Sequence, residues 1–399
     1  MNILFLSTHN LATNPRLVKE INLALENGFT VSVLCFEFDN WSKEINESIK
    51  KQFRNKINYR ALKAGRNPLW PWLQSSIIHE CSKILLRLFP NNIRLLAWSI
   101  NKRSWLLLKA LKKNKEMPAL IVAHNVGSFY PVQWFAKKNQ IAFGVDLEDY
   151  HPGETNNKQL AQRVISLQHA ILPQAEYISA ASLQILEYAQ RDVAFKLKNT
   201  GVVLNYFSSE EFAAPENKQD RPIKLVWFSQ HISFGRGLEQ LLPVIKKYPQ
   251  LQLHLFGNCN HLFREKWLMG ADNIFIHAAI SQQELHKKLA TFDIGLAIEP
   301  GKDLNNELAL SNKILAYYQA GLYILASATI AQKAFLAERP HHGLVSGLEV
   351  EHIETVINQI IAGSTDIRTA AAGRYIAAKQ YGWEETSKTV LKLWKNVVV

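Results

Sequence analysis

The sequence presents the same order of local patterns twice: a short apolar run, a polar loop and an amphipathic helix. This order constrains the fold more than any other feature. Residues 2–7, NILFLS, are typical of a buried strand, and the helical pattern after them begins at Asn14 and Pro15 and ends at Gly28. The alternation starts again at 223–229, IKLVWFS. Because strands that alternate with helices form parallel sheets, the sequence predicts an α/β protein with two parallel-sheet domains.

The chain length also favours two domains. A chain of 399 residues exceeds one typical domain and suits two of roughly 150 to 200 residues each. The polar stretch AAPENKQDRP separates the two runs of strand and helix patterns and predicts a linker. We therefore expect a first domain over 1–212, a linker over 213–222, a second domain over 223–378 and a last helical segment over 379–399.

Several classes of protein are excluded by what the sequence lacks. No apolar run approaches the roughly 18 residues that a membrane span needs, and the first residues lack the basic segment and small-residue cleavage site of a secretory signal. Cys35, Cys81 and Cys259 are far apart without a CxxC pair, which favours a reducing, cytoplasmic compartment and argues against a cysteine zinc site. Neither GxGxxG nor a P-loop occurs, which argues against nicotinamide enzymes and P-loop NTPases.

Positive charge is concentrated in one region. Residues 41–115 hold 17 Lys and Arg against three acids, a larger excess than the net charge of +12 of the whole chain. A helix predicted over 94–113 places Trp98, Lys102, Trp105 and Lys109 on one face, a pattern that suits an anionic bilayer surface. The alternative is a helix buried on two sides, with its Trp residues in the core. No nucleic-acid-binding signature accompanies the charge, so no nucleic-acid partner is expected.

Polar residues follow two strand patterns of the first half. His124 follows the apolar run ALIVA, and an acidic cluster follows the next run, IAFGV. The carboxyl ends of parallel strands lie along one edge of a sheet, where such sheets bind ligands. A mixed cluster of this kind can hold a divalent metal but more often binds substrate, so we expect no metal. Its members are Asp146, Glu148, Asp149, His151 and Glu154.

The second half shows two candidate anion sites. In 293–327 a strand pattern ends at Glu299, and a helix follows with Ser311 as its expected N-cap and Lys313 in its first turn. A second helix opens at Gly235-Arg236-Gly237. Helix N-termini attract anions through free N–H groups and the helix dipole, and an Arg can form paired hydrogen bonds with phosphate oxygens.

Three segments in this order resemble the GT-B glycosyltransferases, specifically retaining glycosyltransferase family 4 and its members in bacterial polysaccharide and lipopolysaccharide assembly. They are NPRLVKEINLALENGFTVSVL near the start, the strand with RGLEQLL that opens the second half, and SNKILAYYQAGLYILAS. The last is similar to the family's helix of the form NK-x-x-E-Y-x-x-A-G-x-P-V-I-A. The resemblance implies two facing Rossmann-like domains with a cleft between them and a C-terminal helix that crosses back onto the first domain.

What the resemblance implies for the sites is carried over onto the matching residues. The expected catalytic residues are His124 and Glu299. The expected donor-binding residues are Gly235, Arg236, Gly237, Gly257, Asn258, Glu299, Ser311, Asn312 and Lys313. The expected acceptor-binding residues are Asn14, Arg16, Asp146, Glu148 and His151. The resemblance implies a nucleotide diphosphate sugar as donor substrate and no obligatory cofactor or metal.

The chain departs from the family pattern at two donor positions. Gln230 stands where the family has an Arg that holds the diphosphate, and Ala316 stands where a Glu contacts the ribose. Glu299 and Glu307 have seven residues between them, as the family's paired glutamates do, but the helix motif assigns the second position to Ala316. We therefore expect Glu299, Asn312 or Glu307 to replace that contact.

The function implied by the resemblance is glycosyl transfer with retention, from a nucleotide sugar to a glycan or lipid-linked acceptor in cell-surface polysaccharide assembly. The positive charge of region 41–115 predicts a peripheral location at the inner face of the cell membrane. Two alternatives stay open: a nucleotide-sugar 2-epimerase, and a catalytically degenerate GT-B subunit that binds or serves as a scaffold.

Overall fold

The computed structural model describes residues 1–63, 65–216 and 221–398. The chain divides into two compact units, the first made of Met1–Val203 with Ser387–Val399 and the second of Leu204–Thr386. The predicted linker, 213–222, falls in part on residues outside the described ranges. No helix in the described ranges is both long and apolar enough to cross a bilayer.

The described residues of the first unit form a seven-stranded parallel sheet in the order β3-β2-β1-β4-β5-β6-β7. Its strands are β1 (Asn2–Ser7), β2 (Thr30–Glu37), β3 (Asn58–Lys63), β4 (Leu120–His124), β5 (Ala142–Leu147), β6 (Tyr177–Ala180) and β7 (Thr200–Val202). Its helices are α1 (Pro15–Glu26), α2 (Lys43–Gln52), α3 (Leu69–Leu85), α4 (Ile93–Ile100), α5 (Lys102–Leu111), α6 (Val126–Asn139), α7 (Lys158–Ile171) and α8 (Leu183–Val193).

The described residues of the second unit form a six-stranded parallel sheet in the order β10-β9-β8-β11-β12-β13. Its strands are β8 (Ile223–Ile232), β9 (Leu251–Cys259), β10 (Ile274–His277), β11 (Ile294–Ala297), β12 (Tyr323–Ser327) and β13 (Gly343–Ser346). The helices that follow are α9 (Leu238–Ile245), α10 (His261–Phe263), α11 (Gln282–Lys288), α12 (Leu304–Leu308), α13 (Asn312–Gln319), α14 (Ile330–Ala337), α15 (Val350–Ala362), α16 (Ser364–Thr369), α17 (Ala371–Ala378) and α18 (Trp383–Val398). The predicted α/β class with two parallel sheets is therefore confirmed.

Helix α18 begins in the second unit and continues into the first, whose division starts at Ser387. In the first unit Trp394 is fully buried, and its indole N–H donates to the hydroxyl of Tyr177 at 2.9 Å. The Trp394 ring also lies against Phe5 of β1, with the ring centres 5.8 Å apart. A large aromatic side chain thus fastens the end of the chain to the first sheet.

Local sequence signals explain many of the element boundaries. The side chain of Asn14 accepts from the N–H of Leu17 and caps α1, with Pro15 at the first helical position, as predicted. Ser281 and Glu284 form the two reciprocal hydrogen bonds of a capping box at α11. Ser311 precedes α13 as expected, but its hydroxyl caps no helix N–H.

The single long helix predicted over 94–113 is wrong. The segment forms two helices, α4 and α5, because Asn101 is extended (φ −142°, ψ 114°) and its side chain caps the second helix through the N–H of Arg103. The predicted exposed stripe of Trp and Lys is also interrupted, since Lys102 lies against the Trp72 ring of α3 and donates to Ser76. Trp98 and Trp105 are only partly exposed.

Candidate functional site

The carboxyl ends of three neighbouring strands of the first unit place Ser7, His124 and Asp146 side by side. Ser7 of β1 is in register with His124 of β4, which is in register with Asp146 of β5. Residues in register in a parallel sheet point to the same face. Helix α1 follows β1 in the chain, and it places Arg16 beside Asp146 and Glu20 beside His124.

These residues form a charge network that is fully buried. The Arg16 Nε atom lies 2.9 Å from an Asp146 carboxylate oxygen and 3.5 Å from one of Glu20. The two ring nitrogens of His124 face the same carboxylates, at 3.3 Å from Glu20 and 3.6 Å from Asp146. None of the four side chains is more than 1% exposed. Ser179 of β6 donates a further hydrogen bond to Asp146 at 2.6 Å.

The carboxyl groups of this network act on the pKa of His124. Burial alone would lower the pKa of His124, but the Glu20 carboxylate and then Asp146 outweigh burial and hold the pKa above its ordinary value. The His124 ring and the Arg16 guanidinium therefore face the same two carboxyl groups. We shall call Arg16, Glu20, His124 and Asp146 the buried charge network.

Glu148 lies just beyond this network and stays partly exposed. Loss of hydration, followed by the nearby charges of Asp149 and Asp146, raises its pKa to about 8. A carboxyl group with that pKa carries a proton at neutral pH and can donate a hydrogen bond as well as accept one. Glu148 therefore combines partial exposure with a pKa close to neutral pH.

Asn125 joins the ends of β1 and β4 in a strained backbone conformation. It has φ 64° and ψ 153°, a region that non-glycine residues rarely occupy. Its side-chain oxygen accepts from the N–H and the hydroxyl of Thr8, at 3.0 and 2.6 Å, and its amide donates to Ser7 at 3.0 Å. These three hydrogen bonds offset the strain and fix the start of α6 beside the end of β1.

The structure separates the predicted acceptor-binding residues into two groups. Asn14, Arg16, Asp146 and His151 are buried, and only Glu148 is partly exposed. Asn14 caps α1, and a ring nitrogen of His151 pairs with Glu154 at 2.8 Å. His124, one of the two predicted catalytic residues, is also buried, and its observed contacts are with other side chains of the first unit. Its catalytic role therefore stays a prediction.

In the second unit a glycine loop packs against the end of β11. Gly237 has φ +79°, and a Cβ placed on it would lie 2.5 Å from the Cγ2 atom of Ile298. Gly235 has φ +69°, and the Nζ atom of Lys302 lies 2.8 Å from the point that a Cβ on Gly235 would occupy. Both values of φ favour glycine, and at Gly237 a side chain would also meet Ile298, whereas the flexible end of Lys302 could move away from a side chain at Gly235.

This close approach gathers positive charge at one strand edge. Arg236, between the two glycines, and Lys302 are both exposed, and neither forms an ion pair or hydrogen bond with the rest of the described chain. The N–H of Gly235 already donates to the carboxylate of Glu239. The two side chains, rather than the N–H of Gly235, are therefore the groups available to hold an anion here.

Lys313 and Glu299 form an ion pair beside this loop. Their charged atoms lie 2.7 Å apart, and the two side chains are 13% and 19% exposed. The Nζ atom of Lys313 also lies 5.7 Å from the centre of the Trp227 ring. The N–H of Glu299 donates to the hydroxyl of Ser327 at 2.9 Å. Glu299 thus compensates the charge of Lys313.

The other predicted donor-binding residues lie on the same unit. Asn312 is exposed and accepts a hydrogen bond from Asn205 at 3.2 Å, and Asn258 is exposed at the end of β9. The Ser311 hydroxyl is buried without a hydrogen-bond partner in the described chain. Gly257 has φ +147° and packs against the carbonyl of Ser229 in β8, so it is a contact between strands.

The contacts of Glu307 and Ala316 show what occupies the two positions considered for the second glutamate. One carboxylate oxygen of Glu307 accepts from the N–H of Ile330 at 3.1 Å, and the other lies against Gly301. Glu307 therefore supports the start of α14. Ala316 is fully buried in the hydrophobic core of the second unit, so its position is one of packing.

Sequence reasoning missed Glu20 and Lys302. Glu20 has the spacing of an ordinary helix residue, and only the packing of α1 on the sheet brings it to His124. Lys302 follows Pro300-Gly301 in a loop, and its approach to Gly235 depends on contacts between distant segments. Among the described residues, no three His, Cys, Asp or Glu side chains are grouped in a way that could hold a metal ion.

Comparison with known proteins rests on the fold. No protein-family model matches the chain, and no curated protein matches it in sequence. Anabaena HepE, solved in complex with UDP, is similar in structure with a TM-score of 0.67 and 15% identity, covering 99% of this chain and 100% of that one. The fold is GT-B.

Two further solved structures agree with this assignment. Sucrose-phosphate synthase from Thermosynechococcus elongatus has a TM-score of 0.64 and 15% identity, and covers 100% of this chain and 99% of that one. A glycosyltransferase from Rickettsia africae has a TM-score of 0.64 and 11% identity, with coverage of 100% and 98%. At these identities the likeness shows a GT-B fold, and the activity is a separate question.

Proposed function

We propose that this protein is a glycosyltransferase that moves a sugar from a nucleotide-sugar donor to a glycan or lipid-linked acceptor in cell-surface polysaccharide assembly. The observation that carries the proposal is the pair of exposed, unpaired cations at the glycine loop of the second unit, Arg236 and Lys302. Two cations with no partner in the described part of the chain suit the diphosphate of a nucleotide sugar. The GT-B fold supports the same conclusion.

Transfer of this kind requires charge stabilisation and positioning more than covalent chemistry from the protein. Negative charge develops on the leaving diphosphate as the glycosidic bond to it breaks. Arg236 and Lys302 stabilise that charge, and Lys313 contributes in part, because Glu299 already neutralises it. In the mechanism that the resemblance to retaining family 4 implies, the leaving phosphate accepts the proton of the acceptor hydroxyl, and the reaction needs no obligatory metal.

On the acceptor side, Glu148 is the residue we propose to contact the acceptor hydroxyl. It is partly exposed, and its raised pKa of about 8 keeps it protonated and able to hydrogen-bond to oxygen at neutral pH. His124 and Asp146 act behind it as positioning residues, since both are buried and their charges bear on the Glu148 carboxyl.

Calorimetric titration with UDP tests the donor site. UDP is the first probe because Anabaena HepE was solved with UDP and with UDP-glucose. We expect the wild type to bind UDP, and Arg236→Ala and Lys302→Ala each to weaken binding by about 1.5 to 3 kcal/mol, roughly ten- to a hundredfold. Lys333→Ala, an exposed lysine of the same unit, is the matched control and should bind as the wild type does.

Unchanged affinity in both variants would contradict the donor site. If UDP does not bind, the same titration with ADP and GDP decides whether the base or the site is wrongly assigned. Incubation with UDP-glucose and an acceptor preparation, followed by product analysis, then separates transfer from epimerisation, because an epimerase changes the sugar without an acceptor.

A second candidate is a GT-B subunit that binds a nucleotide sugar without transferring it. Two departures favour it: Gln230 replaces a cation, and Ala316, which replaces the ribose-binding Glu, is buried in the core. UDP binding with no turnover of any nucleotide sugar would support this candidate over transfer.

The proposed location is the inner face of the cell membrane, where a lipid-linked acceptor is present. The support is the excess of positive charge in region 41–115, with 17 Lys and Arg against three acids.

A further inference from the structure

Helix α3 has its polar and apolar faces reversed relative to an ordinary surface helix. Its inward side carries the buried Ser75 and Ser82, and a ring nitrogen of His79 donates to the carbonyl of Trp98 at 2.6 Å. Its outward side is apolar and exposed. The exposed residues are Trp70 (66%), Leu73 (36%), Ile77 (54%), Ile84 (62%) and, just past the helix end, Leu88 (73%).

The spacing of these residues makes one continuous strip. Positions 70, 73, 77, 81 and 84 recur at intervals of three or four, so they share one helix face, and Leu88 follows four residues later in the turn past the helix end. Cys81, which is also exposed, completes the series. From Trp70 to Ile84 the strip is about 21 Å long at 1.5 Å per residue. We call these six residues the α3 strip.

Cations surround the α3 strip. Arg66 precedes the helix, and its guanidinium lies 5.3 Å from the centre of the Trp72 ring, against which Lys102 also lies. Lys83 stands on the helix, and Arg87 is exposed just after it. Glu80 is the one acid between residues 65 and 115, and it pairs with Lys83 at 2.8 Å.

We propose that the α3 strip docks on a bilayer that contains anionic lipid. Apolar side chains in one plane with a Trp at one end enter the interface, while the flanking Lys and Arg contact lipid phosphates. A second copy of the chain fits poorly, because region 41–115 holds 17 Lys and Arg against three acids and two such faces repel each other. The inference supplies a docking element for the proposed membrane location and does not depend on glycosyl transfer.

Flotation of the full-length protein with vesicles tests the docking. One set contains phosphatidylcholine with phosphatidylglycerol, and the other contains phosphatidylcholine alone. The test variant carries Leu73→Gln, Ile77→Gln and Ile84→Gln, which keeps good helix formers on an exposed face. The control carries Met117→Gln, Leu183→Gln and Phe195→Gln, three exposed apolar residues elsewhere in the first unit.

We expect wild type and control to float with the anionic vesicles, and the test variant to partition at least about tenfold less. Lys83→Gln with Arg87→Gln should reduce partitioning by about fivefold for each charge removed. Equal flotation of test variant and control, failure of the wild type to float, or equal binding to neutral and anionic vesicles would each overturn the proposal. The proposal would also be overturned if light scattering without lipid showed a dimer for the wild type and a monomer for the test variant.

Cys81 allows direct observation of the α3 strip. Cys35 is buried, so an environment-sensitive fluorophore attached in the Cys259→Ser variant reports from position 81. We expect a blue shift when anionic vesicles are added, and no shift for a label at Phe195→Cys in a Cys81→Ser, Cys259→Ser background. Flotation without a shift at Cys81 would assign docking to another face. UDP titration of the test variant separates the docking proposal from the donor-site proposal. The test variant should bind UDP as the wild type does.

Discussion

The strand edges of the two units carry similar charged residues in opposite states. In the first unit Arg16 lies beneath the surface between Glu20 and Asp146, with its charge compensated at 2.9 and 3.5 Å. In the second unit Arg236 and Lys302 are exposed beside two glycines, with no partner in the described chain. Both edges follow from the same alternation of strand and helix, so the fold alone does not decide what a charge at this position does.

The difference teaches how to tell a structural charge from a binding charge. A buried cation that faces two carboxylates has its charge compensated within the protein, and its removal leaves uncompensated charge there. An exposed, unpaired cation contributes little to folding and is available to a ligand. Variants at the first edge should therefore change stability, and variants at the glycine loop should change binding.

The largest expected effect is that of Arg16→Ala. Removing the cation leaves Glu20 and Asp146 buried without the guanidinium group that faces both of them, so the free energy of unfolding should fall by about 3 to 5 kcal/mol. Urea denaturation followed by circular dichroism measures it. Arg54→Ala, an exposed arginine of the same unit, should change stability by less than about 0.5 kcal/mol. Equal losses would remove the distinction between the two edges.

A smaller effect is expected for Gly237→Ala in the second unit. At φ +79° a side chain costs about 1 to 2 kcal/mol, and the new methyl group would also meet Ile298 and move the glycine loop. Gly270→Ala is a close control, because Gly270 has φ +68° but nothing within 4 Å. Thermal unfolding should show a loss in both variants, while UDP titration should show weaker binding for Gly237→Ala alone. Weaker UDP binding in both would mean that strain, not the contact with Ile298, shapes the loop.

The ion pair of Glu299 and Lys313 is less buried than the charge network of the first unit and less exposed than Arg236 and Lys302. A double-mutant cycle with Glu299→Gln and Lys313→Met should give a coupling energy of about 1 kcal/mol, because each single change leaves one charge without its partner. Urea denaturation of the four proteins measures it. A coupling energy near zero would place this pair with the freely exposed charges.

A separate test is the pH dependence of stability that Glu148→Gln removes, because it compares stability across pH values rather than at one pH. The pKa of Glu148 is raised to about 8 in the folded protein from an ordinary 4.5, so folding favours its protonated form. Wild-type stability should therefore fall, relative to the variant, as pH rises from about 4.5, and the difference should become constant above about 8. Denaturation at several pH values measures it, with Glu187→Gln as an exposed control. A difference that does not vary with pH would contradict the raised pKa.

Sequence reasoning succeeded where the signals are local. The strand patterns, the Asn14 cap with Pro15, and the capping box of Ser281 and Glu284 depend on residues within one turn of each other. It was wrong on the helix over 94–113, although Asn101 carried a readable signal, since an Asn followed by helix formers is a good N-cap. The helical spacing of apolar residues continues across Asn101, so the spacing alone predicted one helix where there are two.

The sequence by itself determined the α/β class, the two sheets and the residues that stand at their strand ends, because alternation and capping are written in neighbouring positions. Only the tertiary structure decided which of those residues are paired. Glu20 reaches His124 across the packing of a helix on a sheet, Lys302 reaches Gly235 across two loops, and α3 turns its apolar side outward. Such contacts depend on the packing of segments that are far apart in the chain, which local patterns do not encode.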